Sequence, residues 1–262
     1  MKKPNLAVFL LSIALLTSLS CFAAEPIGLI MNIEGTATAT DSQGNTRQLA
    51  TRAKVFLNDT IITGEKSKLQ IVFKDDTLFS QGENSEMQLD QYAYNPDKQT
   101  ENRFKAKLKA GIFRVITGKI PLINKDQFEM QTRRTTIGIR GCEVGFQTDD
   151  TEDRVVVMEV SNGKKIFITP FKGLNQLIVT VPSMVTINNA GEVEESPLSV
   201  NDPFQIQQAT TLHGGGGGEQ GGGGEQGGGD EQGGGEQGGG DTGWWDLFDP
   251  DIDDQDVDAT RI

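Results

Sequence analysis

"LNDTIITGEKSKLQIVFKDDTLFSQGENSEMQL", residues 57–89, alternates short apolar runs with polar turns. Within it, Lys68–Phe73 sets Leu69, Ile71 and Phe73 on one side of an extended chain and Lys68, Gln70 and Val72 on the other. Residues 86–92 repeat the pattern through Met87 and Leu89. A period of two is the signature of a half-buried strand, because successive Cβ atoms point to opposite faces. The intervening "KDD" and "QGEN" are rich in residues that tolerate tight or left-handed backbone.

The same alternation continues outward. Residues 154–160, 164–169 and 176–181 and Ser183–Asn188 read as strands, separated by "SNGK" and similar turns. In 154–160 Val156, Met158 and Val160 join Val155 and Val157, which predicts cover on both faces of that strand. No segment has the 3.6-residue periodicity of an amphipathic helix longer than three turns. The expected fold class is all-β, a β-solenoid-like or irregular β-sheet module over residues 25–200.

The flanks have other compositions. Residues 1–23 carry Lys2 and Lys3, then a 14-residue apolar run from Leu6 to Leu19, then small residues. That order is a secretory signal, and the run is short for a membrane span, which needs about 20 residues. The expected location is therefore periplasmic or secreted, with no membrane-spanning segment once the signal is removed. A lipid anchor at Cys21 is the weaker reading, because Ser18, Leu19 and Ser20 match a lipobox poorly. With Cys21 discarded, Cys142 stands alone and no intramolecular disulfide forms.

Residues 201–213 read as a connector and 214–241 as a glycine-rich tether without apolar side chains. Residues 242–262 are an acidic terminal peptide holding Trp244, Trp245, Leu247 and Phe248. The peptide has two readings. It is a docking segment for a partner, anchored by its aromatic side chains, or it folds back onto an open end of its own β body. Asp249, Asp251 and Asp253 are spaced as in calcium loops, but the glycine and the bidentate glutamate of an EF-hand are missing, so only weak calcium association is expected.

The net charge of −13 is unevenly placed. Residues 214–262 hold 13 acidic residues and one basic, whereas residues 25–213 hold 24 acidic and 21 basic. Neither part offers the basic surface that nucleic-acid binding requires.

Three motifs of the body resemble the FecR-domain family over about residues 27–181. The opening stretch matches through Asp59, Thr63, Gly64, Asp75, Asn84 and Ser85. "GIFRVITGKI" resembles the family's Gly-x-Phe/Leu-Arg segment, and "TTIGIRGCEVGF" its Ile-Gly-Ile-Arg-Gly-Thr element, through Gly138, Arg140 and Gly141. Cys142 replaces the family's threonine, and Arg133 stands where a proline is usual. The resemblance implies a β-solenoid-like or irregular all-β module on the outer side of a bacterial membrane; the sequence departs from the family plan, with a signal in place of the expected membrane helix and cytoplasmic sigma-regulating segment.

Catalytic chemistry finds little footing. The single histidine, His213, abuts the tether, so no histidine triad or multi-histidine metal site forms in one chain. Asp75-Asp76 and Asp149-Asp150 are adjacent pairs in turns, whose side chains diverge. Arg140 is expected to bond carbonyls or a carboxylate nearby, and Cys142 to be a small inward-facing replacement for threonine. The expected function is a non-enzymatic, cofactor-free interaction or sensor-like module with an envelope or extracellular protein or polymer as partner. A structural scaffold stacking end to end is the alternative, and a polysaccharide-active enzyme the weakest reading.

Overall fold

The computed structural model describes residues 24–160, 164–173, 176–199 and 201–212. In chain order the strands are β1 (Gly28–Glu34), β2 (Ala37–Thr40), β3 (Thr46–Gln48), β4 (Lys54–Val55), β5 (Thr60–Thr63), β6 (Lys68–Phe73), β7 (Leu78–Gln81), β8 (Glu86–Ala93) and β9 (Arg103–Ile116). A one-turn helix α1 (Ile120–Ile123) follows, then β10 (Phe128–Gln131), β11 (Thr135–Ile139), β12 (Cys142–Thr148), β13 (Glu152–Val160), β14 (Ile166–Pro170), β15 (Leu177–Val179), β16 (Ser183–Asn188) and β17 (Val193–Pro197). Helix α2 (Asn201–Thr210) closes the described chain.

The pairings resolve into two layers that share β9. One layer runs β4-β1-β6-β7-β9-β12-β13-β16-β17, all antiparallel. The other runs β3-β2-β5-β8-β9-β10-β11-β14-β15, with β9–β10 as its parallel step. Apart from the first pair of each, β4-β1 and β3-β2, both layers advance in sequence order from one end to the other, which is the solenoid-like progression of the fold. Strand β9 pairs with β8 and β10 through its first half and with β7 and β12 through its second. It switches layers at Gly111, where φ is +111° and a Cβ would stand 2.0 Å from Ser85 Oγ. Only glycine fits that bend.

The alternation of β6 is the reason it lies as it does: Leu69, Ile71 and Phe73 are buried while Lys68, Gln70 and Val72 are partly exposed. Facing residues of the two layers interdigitate in one core. Phe73 of the first layer meets Phe104 of the second edge-on at 4.9 Å, and Phe104 stacks on Phe128 at 4.7 Å, both favourable aromatic geometries.

Helix α2 occupies the stretch read as a connector. It lies across the outer face of the first layer, touching β6, β7, β9, β12 and β13. Ile206, 3% exposed, sits over Gly145, where a Cβ would be 2.7 Å from Ile206 Cγ2. This explains why Val156 and Ser80, on the outer face, are buried. The cover predicted for both faces of β13 is present at Val156, whereas Met158 and Val160 are only partly buried. Near its C-terminus, Lys68 Nζ donates to the carbonyls of Gln208 at 2.7 Å and Thr211 at 2.9 Å.

Candidate interaction site

The motif residues of the opening stretch are spent on corners of the fold. Asp59 is fully buried, accepts the Phe56 N–H at 2.8 Å and is clasped by both terminal nitrogens of Arg47. Thr63 Oγ1 donates to the Gly82 carbonyl and accepts the Ser85 N–H at 3.2 Å. Gly64 donates its N–H to the Thr36 carbonyl at 2.9 Å. Asp75 accepts hydrogen bonds from Thr77 Oγ1 at 2.7 Å and Tyr92 Oη at 3.2 Å. Burial nevertheless raises its pKa above the ordinary aspartate value. Burial and the neighbouring Asp75 also raise the Tyr92 phenol.

The two adjacent aspartate pairs diverge as strand and turn geometry requires. Asp75 points inward, while Asp76 pairs with Lys119 at 2.6 Å. Asp149 accepts the Thr151 hydroxyl at 2.6 Å and the N–H groups of Glu152 and Thr151, which hold its pKa down to about 2. Asp150 reaches out to Arg133. Neither pair shares a substrate position, and among the described residues no group of three or more histidine, cysteine or acidic side chains is placed to hold a metal.

The "TTIGIRGCEVGF" element forms β11, a bend and β12. Gly141 turns the chain with φ +77°. Cys142 is 6% exposed and belongs to the core, while its N–H donates to Thr117 Oγ1 at 3.0 Å. Arg140 leaves on the opposite side. Its guanidinium lies over the Phe167 ring at 4.4 Å and pairs with Asp126, and its Nε–H has no acceptor among the described residues. Gly138 leaves the floor open beside it, and the resulting groove of about 330 Å³ on the outer face of the second layer is flanked by Thr136 and Thr169. Across the same face Lys105, Lys107 and Lys109 of β9 pair with Glu129, Asp90 and Glu86.

Sequence reasoning missed a second buried node. Asp153, fully buried, accepts Thr132 Oγ1 and Thr148 Oγ1, each at 2.6 Å, the Arg134 N–H at 3.0 Å and Arg134 Nη1 at 2.9 Å. It repeats the device of Asp59 and Arg47 at a later corner, but no local pattern ties residues nineteen apart. On its solvent side Arg133, Arg134, Phe171, Lys172 and Asn189 line a cleft of about 220 Å³. Trp244, Trp245, Leu247 and Phe248, named above as partner-binding, lie outside the described residues, as do residues 1–23. Among the described residues no helix is long and apolar enough to cross a membrane.

A family model described as FecR protein matches residues 59–164. That interval begins at the buried Asp59 and holds the Asp75, Arg140 and Asp153 environments described above. No curated protein matches the chain. Two crystal structures of a proposed anti-sigma factor from Parabacteroides distasonis are similar at a TM-score of 0.44 and 12% identity. The match covers 57% of this chain and 64% of that one, so it spans somewhat under two thirds of that protein.

Proposed function

The chain carries a FecR domain at residues 59–164, and on that premise we propose that it is a non-catalytic interaction or sensor-like module of the bacterial cell envelope, binding a protein partner through its β body. One observation carries the proposal. Inside the family interval the acidic motif side chains are buried in hydrogen bonds that hold corners together, whereas the outer face of the second layer presents Arg140, its groove and the paired lysine row. Groups consumed by the fold are not available for acid–base work, and a flat face of alternating charges recognises partners by electrostatic complementarity. Export is supported by the charged, apolar and small-residue order of residues 1–23.

End-to-end stacking as a scaffold is disfavoured by the edge strand β17, which carries Glu194, Glu195 and Pro197. Charged residues and proline are the means by which edges resist pairing. The proposal is tested with photo-crosslinking side chains at Thr136 or Thr169, beside Arg140, and at Thr186 on the other layer, in intact cells. A discrete protein adduct from the first two sites and none from Thr186 is expected. Equal adducts from both faces, or none from either, would refute recognition through this face.

A further inference from the structure

Among the described residues the two layers end without a cap. The inner-face residue Leu177 of β15, paired with buried Ile168, and Val193 of β17, paired with buried Ile187, have no further strand beyond them among those residues. Between them, with Pro170 and Gly173, opens a groove of about 340 Å³. It is continuous, through Gly191 and the turn after β14, with the Arg133–Arg134 cleft. Phe171 stands at the junction and is 52% exposed. We propose that this open end is the docking site of the chain's own residues 244–258, with the Trp244–Trp245 pair on this groove and the aspartates that follow toward Arg133 and Lys172.

Chemistry matches on both sides. The segment joins Trp244, Trp245, Leu247 and Phe248 to seven aspartates. The cleft sets Arg133 and Lys172 against one lining carboxylate, Asp150, while Arg134 on its wall is already neutralised by Asp153. Asp150 is itself 90% exposed, so its pair with Arg133 is a surface contact of small worth that a tail aspartate replaces at little cost. Glu195, which also lines the groove, lies two positions beyond Val193 along β17. The groove beside Arg140 is a poorer match, because Asp126 and Glu129 balance Lys125 and Arg140 there.

Length matches as well. Lys68 holds the end of α2 over β6, and six strand steps of about 4.8 Å separate β6 from β17, or about 29 Å. The intervening residues 213–243 number 31 and are glycine-rich, and a glycine-rich coil of that length has a root-mean-square span of about 28–33 Å. Effective concentration is greatest when span and linker agree, and is of millimolar order. A contact with a Kd of about 0.1 mM between separate molecules is then about tenfold more closed than open within one chain.

The contact does not depend on the function proposed above, and its test reads the contact alone. Both tryptophans of the protein lie at 244 and 245, so the emission of the full chain reports only this segment. Docking predicts blue-shifted emission and protection from acrylamide that do not change with protein concentration. Phe171→Ala with Lys172→Glu, or Arg133→Glu with Lys172→Glu as a second variant, shifts emission to that of a solvated indole. Leu122→Ala with Lys125→Glu, away from the cleft, leaves it unchanged. Circular dichroism of each variant confirms an intact body. Solvent-like emission in the unaltered chain, or a blue shift that survives both cleft variants, overturns the proposal. A blue shift that grows with concentration also overturns it, in favour of docking onto a second copy.

Discussion

Replacing Asp153 with alanine is the perturbation with the best-defined cost. The carboxylate is fully buried and accepts four hydrogen bonds, from two threonine hydroxyls, the Arg134 N–H and the Arg134 guanidinium. The Arg134 side chain is only 9% exposed, so removing its partner leaves a nearly buried cation. Breaking a buried ion pair from one side costs about 3–5 kcal/mol. Domain stabilities are about 5–15 kcal/mol, so a fifth or more of the total would be lost. For a body of this size that lowers the melting temperature by about 10 °C. Urea titration followed by circular dichroism, with equal slopes for both proteins, measures the loss directly. Arg134→Met combined with Asp153→Ala removes both charges, and its cost should fall below the sum of the single changes. An Asp153→Ala cost below about 1 kcal/mol, or strictly additive single effects, would refute the view that this node holds the corner.

Three further outcomes follow from the same structure. Burial raises the folded-state pKa of Asp75 above 3.8, so its contribution is fully present below that value and is lost as pH rises through the raised pKa. The melting temperature of Asp75→Asn, minus that of the unaltered chain, should therefore climb as pH rises above about 4, and a flat difference would contradict the shift. Cys142→Thr should preserve fold and function, because the site takes a small inward side chain; loss of function with the fold intact would return the thiol to the mechanism. Ile206→Ala removes the contact over Gly145 and should cost about 2–5 kcal/mol of local stability. Hydrogen exchange should quicken in α2 and leave β9 unchanged, and slow exchange in α2 would argue against that anchor.

Local features carried much of the fold. The alternation in Lys68–Phe73 and Ser183–Asn188 marks β6 and β16 to the residue, because one face of each is buried and the period of two is clean. The "TTIGIRGCEVGF" element reads as strand, bend and strand because Gly141 needs a left-handed conformation. What escaped depends on distant partners. The 14 residues of β9 belong to two layers at once, and nothing in their own sequence names β7, β8, β10 or β12 as neighbours. Among the described side chains of helix α2 only Ile206 and Thr210 are buried, and the helix is held by the notch at Gly145. The Arg134–Asp153 node and the cleft at Phe171 arise only when β11 is paired with β14 in one layer, β13 with β16 in the other, and the two layers are brought together.

The central claim is recognition through the outer face of the second layer, and one measurement addresses it most directly. Cells producing the chain with a photo-crosslinker at Thr169 are compared with cells in which the same chain also carries Arg140→Ala, a change at a half-exposed side chain whose partner Asp126 is exposed. Adducts are quantified by mass spectrometry, and melting of the purified proteins is compared in parallel. The account predicts one recurrent protein adduct that falls at least tenfold with Arg140→Ala while the melting temperature stays within about 2 °C, as for an ordinary surface substitution. An adduct of undiminished yield in the variant, or no protein adduct from Thr169 at all, would contradict it.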